Sequence, residues 1–430
     1  MLATYLTALR ASGRNVRLLL LLTFMMGFTI DGGIQPVIFN LYLVRMDFGP
    51  EFIGQVNSAG SAVFAVMSLM AGAIAGYWGR SGPRRTMVIG MAGMVIGTSL
   101  IPLADSAAPD WQARLIVGGI LVAYGGLAAF YANLGPFLLL SARPSDRSAL
   151  FAVQTAVYAM AAFAGGSLGG LIPGWVSAVT GMPLTEPLPY RVPLLVISLT
   201  AVVALAVTLA LRTPPAAETA LTGEPVAPAG APEGGLIQQS DAYRMIVFLA
   251  VVRFCQVGAI SAASTFFNVF GDTRLGMSTE SIGFIAAAAR LISVPAALLA
   301  PAIAGRTGYG GAAILGSIGA TLAILPLALI PQAGASAAGM IGIMIFTSIR
   351  YPTYFIYSMA RTPERLRSLT SGAGEMAAGL SSALVSLAGG YLIVRFDFSA
   401  AFLLGGLLTL LSVFLLWWQV RRIGDIRTAH

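Results

Sequence analysis

The chain has 430 residues, of which 57% are hydrophobic and only 10% charged, a balance that excludes the ordinary soluble classes and indicates a polytopic membrane protein. Its formal net charge is +8, but no basic face stands apart from the loops between apolar runs, so nucleic acid is not an expected partner. The one cysteine, Cys255, lies in an apolar run and excludes an internal disulfide; the one histidine is the terminal His430, which removes His catalysis, His metal sites and His proton relays from the apolar body. No cofactor and no metal are expected.

Arg10, Arg14 and Arg17 precede the first apolar run, which continues past Tyr42 without a small-residue cleavage site and is therefore read as a retained span rather than a signal peptide. Twelve runs follow in order: 16–43, 51–76, 85–105, 114–141, 149–173, 191–211, 244–270, 280–304, 311–331, 336–359, 368–393 and 399–419. Each is long enough to cross a hydrocarbon core of roughly 30 Å. Between the sixth and seventh, residues 212–243 are rich in Pro, Ala, Gly and acid without apolar periodicity, the composition of a water-exposed connector. After the twelfth, Trp417 and Trp418 precede Arg421 and Arg422, as an interfacial anchor would.

The segments on either side of the connector are alike. Glu51, Ile53 and Gly54 open the second run and Ala73 to Gly76 close it; Glu280, Ile282 and Gly283 open the eighth and Ala302 to Gly305 close it, all at an offset of 229. The stretch from Ser141 to Arg147 is echoed from Met359 to Arg365. A repeat of this length means two copies of one multi-helix unit. The expected fold is an all-α membrane protein of two pseudo-symmetric six-helix bundles, 1–211 and 244–430, joined by a cytoplasmic linker at 212–243. Every basic residue is Arg; placing both termini inside puts seventeen in cytoplasmic segments and leaves five, Arg45, Arg114, Arg191, Arg274 and Arg395, in outer loops. A bacterial cytoplasmic membrane is the expected location, and a monomer the expected state.

Twelve spans, a six-plus-six repeat and a long cytoplasmic middle loop together resemble the major facilitator superfamily of secondary transporters, over essentially the whole chain. That family's signature between the second and third helices is similar to the stretch Gly72 to Arg80 with Arg84 and Arg85 beyond it, although Gly76 and Tyr77 stand where the family has Asp and Arg. The fourth-helix signature matches Arg114 and Gly118, and the fifth-helix exporter signature is similar to Gly165, Gly166, Gly169 and Gly170, with Gly166 in place of Pro. The resemblance implies gating or conformational roles for Gly72, Gly76, Gly79, Arg80, Arg84, Arg85, Arg114, Gly165 and Gly169. Each has a plainer reading: a tight glycine turn with positive-inside Arg, an Arg reaching headgroups, or small residues that let helices pack closely.

Charges deep in a span cost at least about 2.5 to 3.5 kcal/mol each, so each needs a cavity, a partner or a function. Five qualify: Asp31, Arg253, Arg290, Arg350 and Glu375. In the resembled fold, helices 1, 4, 7 and 10 line the central cavity, 2, 5, 8 and 11 flank it, and none of the five falls on the remaining, lipid-facing helices. Helical spacing places Gly27, Asp31 and Gln35 on one face of the first helix; Arg253, Gln256 and Ser264 on one face of the seventh; Arg350, Tyr354 and Tyr357 on one face of the tenth. Tyr124 and Tyr131 are seven apart on the fourth helix, and Gln154 and Tyr158 four apart on the fifth. Aromatics beside amides and charges suit an amphipathic organic ligand. The substrate-binding set is thus Gln35, Tyr124, Tyr131, Gln154, Tyr158, Arg253, Gln256, Arg290, Arg350, Tyr354 and Tyr357, the alternative being that the rings are packing.

Asp31 is the expected proton-coupling residue, since low dielectric favours the neutral form of a carboxyl group. A permanent Asp31–Arg latch is the alternative. Glu375 is the second candidate, paired with Arg367 or reaching water. The expected function is a secondary transporter that moves a small amphipathic organic compound by alternating access, coupled to protons and running as an efflux antiporter of the multidrug type. Three deep Arg against two deep acids keep open an anion or lysolipid importer or facilitator of the same fold. An integral-membrane lipid-modifying enzyme would need a catalytic constellation, and no nucleophile elbow, metal cluster or phosphate loop is present.

Overall fold

A computed structural model describes residues 13–142, 147–213, 239–363 and 366–426. Residues 214–238 of the expected linker fall outside them, and its last five, 239–243, already belong to the helix Gln239–Gln256. Regular structure among the described residues is entirely helical. Twelve spans have the length and hydropathy to cross a membrane, from Arg14–Arg45 to Phe398–Ile423, and the protein is an all-α, multi-pass membrane protein. The eighth run, expected as one helix to 304, ends as a helix at Leu298; a new helix starts at Ala300 with Pro301 in its first turn, where the missing N–H is harmless.

Two compact units make up the chain: Met1–Gly49 with Ala59–Ala220 and Met277–Ala287, and Pro50–Ser58 with Leu221–Gly276 and Ala288–His430. They differ from the sequence halves in that the opening turns of the second and eighth spans are exchanged. Glycines explain the exchange. Within one unit, a Cβ on Gly54 would lie 2.4 Å from the Ser386 carbonyl oxygen and 3.1 Å from Gly390 Cα, so the second span touches the eleventh backbone to backbone. Within the other, a Cβ on Gly283 would lie 2.8 Å from Gly170 Cα, joining the eighth span to the fifth in the same way. Gln55 Nε2 donates to Tyr391 Oη at 2.9 Å beside the first contact, and Tyr190 and Thr279 share a buried hydroxyl hydrogen bond of 3.0 Å beside the second.

The internal repeat also fixes a backbone feature. Gly79 (φ +59°) and Gly308 (φ +80°) both turn the chain through left-handed conformations that L side chains avoid, and their numbers differ by the same 229 that separates the repeated motifs. Each turn joins two consecutive spans of its own half. At the chain's end, Arg421 stacks over Trp417 at 4.1 Å and Arg422 over Trp418 at 5.3 Å, one helical turn apart, as anchoring residues do.

Candidate functional site

The first span is broken where its charge lies. One helix ends at Thr29, the next begins at Ile34, and Gly32 between them takes φ +100°. Asp31, Gly32 and Gly33 are poor helix formers, and Pro36 lacks the N–H that would have bonded back across the gap. The break ends the four-residue register expected between Asp31 and Gln35: Asp31 is half-buried in the gap, whereas Gln35 is 5% exposed inside the second half-helix. The Asp31 carboxylate makes no ion pair with a described residue. Its main-chain carbonyl accepts from Tyr158 Oη at 2.6 Å, which satisfies an oxygen that the interrupted helix leaves free.

Small residues bring the fifth span onto this break. A Cβ on Gly165 would sit 1.9 Å from the Phe28 carbonyl oxygen, and one on Gly169 3.0 Å from Ile34 Cα, so the two glycines bracket the gap. Gln154 Nε2 donates to Thr23 Oγ1 at 3.3 Å one turn further along. Tyr124 is half-buried and within electrostatic reach of Asp31. Tyr131 is half-buried too, its ring edge-on to Phe130 at 5.6 Å. Asp31, Gln154, Tyr158 and Tyr124 therefore gather around one interrupted helix.

The seventh span is broken at the corresponding place, between Gln256 and Gly258. No proline marks it. Gly258 packs against Gly405, where a Cβ would be 2.6 Å from the carbonyl oxygen, and the Ala259 N–H freed by the break donates to Thr409 Oγ1 at 2.9 Å. On the other side of the gap the Gln256 carbonyl accepts from an Arg350 terminal nitrogen at 2.5 Å. Arg350 is 1% exposed and lies against Gly316, whose absent Cβ leaves room for it. Its remaining guanidinium nitrogens, and both polar atoms of the Gln256 side chain, have no hydrogen-bond partner among the described residues. Arg350 thus sits in the interior of its bundle as a brace on the broken helix.

The face of the tenth span that carries Arg350, Tyr354 and Tyr357 is real but inward. Tyr354 and Tyr357 pack with Leu249, Val252, Ala313 and Leu416 in a buried core, and Tyr354 donates to the Leu249 carbonyl at 2.5 Å. The open face lies about a quarter turn round the helix and carries Tyr351 (43% exposed) and Phe355 (41%), which the sequence reading passed over. There Arg253 stacks over Tyr351 at 4.8 Å and approaches Glu375 at 3.7 Å, and Tyr351 Oη donates to Glu375 at 3.3 Å. Glu375 therefore meets Arg253 from the seventh span. These residues line a narrow cleft with Leu249, Ser358 and Thr370, and Tyr354, expected as a site residue, also reaches its wall.

Arg290 is half-buried on the eighth span and its guanidinium makes no hydrogen bond or ion pair with a described residue. Arg114 is exposed and stacks on Trp111 at 5.2 Å, as an Arg reaching headgroups would. Arg84 donates to the carbonyls of Leu211 (2.6 Å) and Leu209 (2.9 Å) and so closes the end of the sixth span, where Asn15 also exchanges two hydrogen bonds with the Arg212 backbone. Arg85 and Gly76 are exposed, and Gly79 forms the left-handed turn. Gly72 lies in the second-span helix and Arg80 in the short turn of helix after it; the Arg80 side chain is outside the described residues.

No curated protein matches the sequence. Among solved structures, the chain is similar to the nucleoside transporter NupG (13% identity, TM-score 0.67, covering 95% of this chain and 100% of that one). It is similar also to a D-xylose-proton symporter (14%, 0.68, 94% and 96%) and to a POT family transporter in complex with 5-aminolevulinic acid (10%, 0.70, 96% and 97%). At these identities the likeness shows the fold. The sequence profile of the Major Facilitator Superfamily matches residues 17–374. The chain belongs to the Major Facilitator Superfamily of membrane transporters.

Proposed function

We propose that the protein is a proton-coupled secondary transporter that moves a small amphipathic organic compound out of the cell by alternating access. The observation that carries this reading is the Asp31 carboxylate, half-buried in the gap of a broken span with no cation of the described residues paired to it. A permanent salt bridge to an Arg would hold a carboxylate ionised, and no described Arg makes one with Asp31. Broken helices are also where transporters of several folds place ion and substrate sites. Gln35, Tyr124, Tyr131, Gln154 and Tyr158 supply the polar and aromatic surroundings in the first unit, and Arg253, Arg290, Tyr354 and Glu375 in the second, where Gln256, Arg350 and Tyr357 are buried in the bundle. The glycines at 165 and 169 let the fifth span follow the first, and the turn at Gly79 with Arg84 fixes the ends of neighbouring helices.

The proposed setting is a bacterial cytoplasmic membrane, with both termini inside, and the proposed state a monomer. The positive-inside distribution of Arg supports the orientation. A second reading, an organic-anion carrier, is favoured by the guanidinium groups at 253, 290 and 350 against the acids at 31 and 375. Transport into proteoliposomes under an imposed pH gradient tests the coupling: wild type responds to the gradient, and Asp31→Asn carries out only gradient-independent exchange. Coupled transport unchanged in Asp31→Asn removes Asp31 from the mechanism.

A further inference from the structure

The cleft at Arg253 holds a cation whose donors are unspent. The Arg253 side chain is only 11% exposed, yet it makes no hydrogen bond with a described residue; its one ionic contact, to Glu375 Oε1, is 3.7 Å long and outside hydrogen-bond range. A guanidinium carries five N–H groups in a planar fork suited to two oxygens of one anion. Leaving such a group desolvated without those bonds is expensive. Glu375 does not supply the fork geometry, being 54% exposed and turned to accept from Tyr351 Oη. Buried Arg350, in the same bundle, adds a second positive charge and makes no ion pair with an acid of the described residues. The field in the cleft therefore favours an anion and opposes a cation.

The size of the cleft limits what enters it. About 20 Å³ of it admits a water-sized group, room for the one or two oxygens of an anionic head and not for a ring. Any ring attached to that group must lie outside, and what lies outside is the pair Tyr351 and Phe355, with centroids 6.4 Å apart and planes 25° from parallel, both more than two-fifths exposed. Two nearly parallel, half-exposed rings one helical turn apart form a platform for another flat ring.

We propose that this cleft recognises a planar aromatic acid, whose carboxylate or phosphate oxygens take the N–H donors of Arg253 while its ring packs on Phe355 and on the part of Tyr351 that the stacked guanidinium leaves open. Glu375 then holds Arg253 in place when the substrate is absent and gives it up to the incoming anion. The proposal rests on the transporter reading and names the substrate class at one of its sites. Its test uses binding alone, without a gradient, so that a failure of proton coupling leaves it standing and a failure of binding leaves the coupling untouched.

Purified full-length protein in lipid nanodiscs is titrated with naphthoate, naphthyl phosphate, naphthylmethylammonium and cyclohexanecarboxylate, and binding is followed by saturation-transfer NMR and calorimetry. Naphthoate or naphthyl phosphate binds saturably, and which of the two binds more tightly separates a carboxylate from a phosphate source. Tyr351→Leu weakens it roughly tenfold or more, Arg253→Gln does the same, and Tyr351→Phe, which keeps the ring, binds nearly as wild type. Tyr351 is exposed enough that its replacement tests the idea even where Arg253→Gln fails to fold. The proposal is overturned by absence of binding of either aromatic anion, by equal binding of the cation or of the non-planar acid, or by wild-type affinity in Tyr351→Leu.

Discussion

Replacing Thr409 by Val should destabilise the second unit through a hydrogen bond rather than through packing. Val has nearly the volume and the branched shape of Thr, so the change leaves the contact around Gly258 and Gly405 filled. What disappears is the hydroxyl that accepts the Ala259 N–H at 2.9 Å and donates to the Gly405 carbonyl of its own helix at 3.0 Å. That N–H belongs to the first turn of a half-helix starting at Gly258, so no carbonyl four residues back replaces the partner. Both residues are fully buried. Losing a cap of this kind costs about 0.5–2 kcal/mol. Side-chain hydrogen bonds inside membrane proteins average only about 0.6 kcal/mol, with a maximum near 1.7, because the unfolded chain in the membrane finds other partners. The Ala259 donor is fixed at a break and sealed from water, which puts it toward the upper end, about 1.4 kcal/mol or a tenfold fall in the folded-to-unfolded ratio. Reversible unfolding in mixed micelles of increasing SDS fraction reads it directly, with Thr409→Ser, which keeps the oxygen, as the control. Equal stability of Thr409→Val and wild type, or equal loss in Thr409→Ser, would refute the reasoning.

Further outcomes follow from the same geometry. Gly165→Ala places a methyl 1.9 Å from the Phe28 carbonyl oxygen and should lower the yield and melting temperature of folded protein, while Gly118→Ala, with nothing within 4 Å, should leave both unchanged. The two left-handed turns should respond unequally: Gly308 (φ +80°, ψ 164°) occupies a region essentially confined to glycine, so Gly308→Ala costs about 1–3 kcal/mol, whereas Gly79→Ala at φ +59° costs about 1 kcal/mol, and denaturation of the two variants side by side ranks them. The Asp425 carboxylate accepts from the Gly310 and Gly311 N–H groups, both at 2.8 Å, at the start of the ninth span; Asp425→Asn offers one oxygen for two donors, and hydrogen exchange at these amides should speed up several-fold.

How much of this was legible in the sequence depends on the range of the forces involved. The twelve spans, the all-helical class and the duplicated order are local signals of hydropathy and repetition, and Gly54, Gly283, Gly79 and Gly308 all sit at the offset that the repeat defines. The break in the first span was written in Asp31, Gly32, Gly33 and Pro36, but an uninterrupted apolar run from 16 to 43 concealed it. The break in the seventh was not written locally at all. It depends on Gly405 and Thr409, some 150 residues away, which meet Gly258 and Ala259 only in the folded bundle. The tenth span shows a third limit. Periodicity correctly grouped Arg350, Tyr354 and Tyr357 on one face but carries no information on whether that face meets a cleft or a core, and the neighbouring spans decide that. Tyr351 and Phe355, also four apart, had an equal local claim and lacked only the adjacent buried charge that drew attention to the other face.

In the proposed function Asp31, which makes no ion pair with a described residue, takes up and releases the coupled proton at the gap of the first span. Infrared difference spectroscopy of the protein in nanodiscs during a pH titration tests it most directly, because a protonated carboxyl group has its own carbonyl stretch, shifted from those of the carboxylate. With Asp31 as the proton carrier, a titrating carboxyl band is expected in wild type and is missing from Asp31→Asn. Identical difference spectra for the two proteins would contradict it.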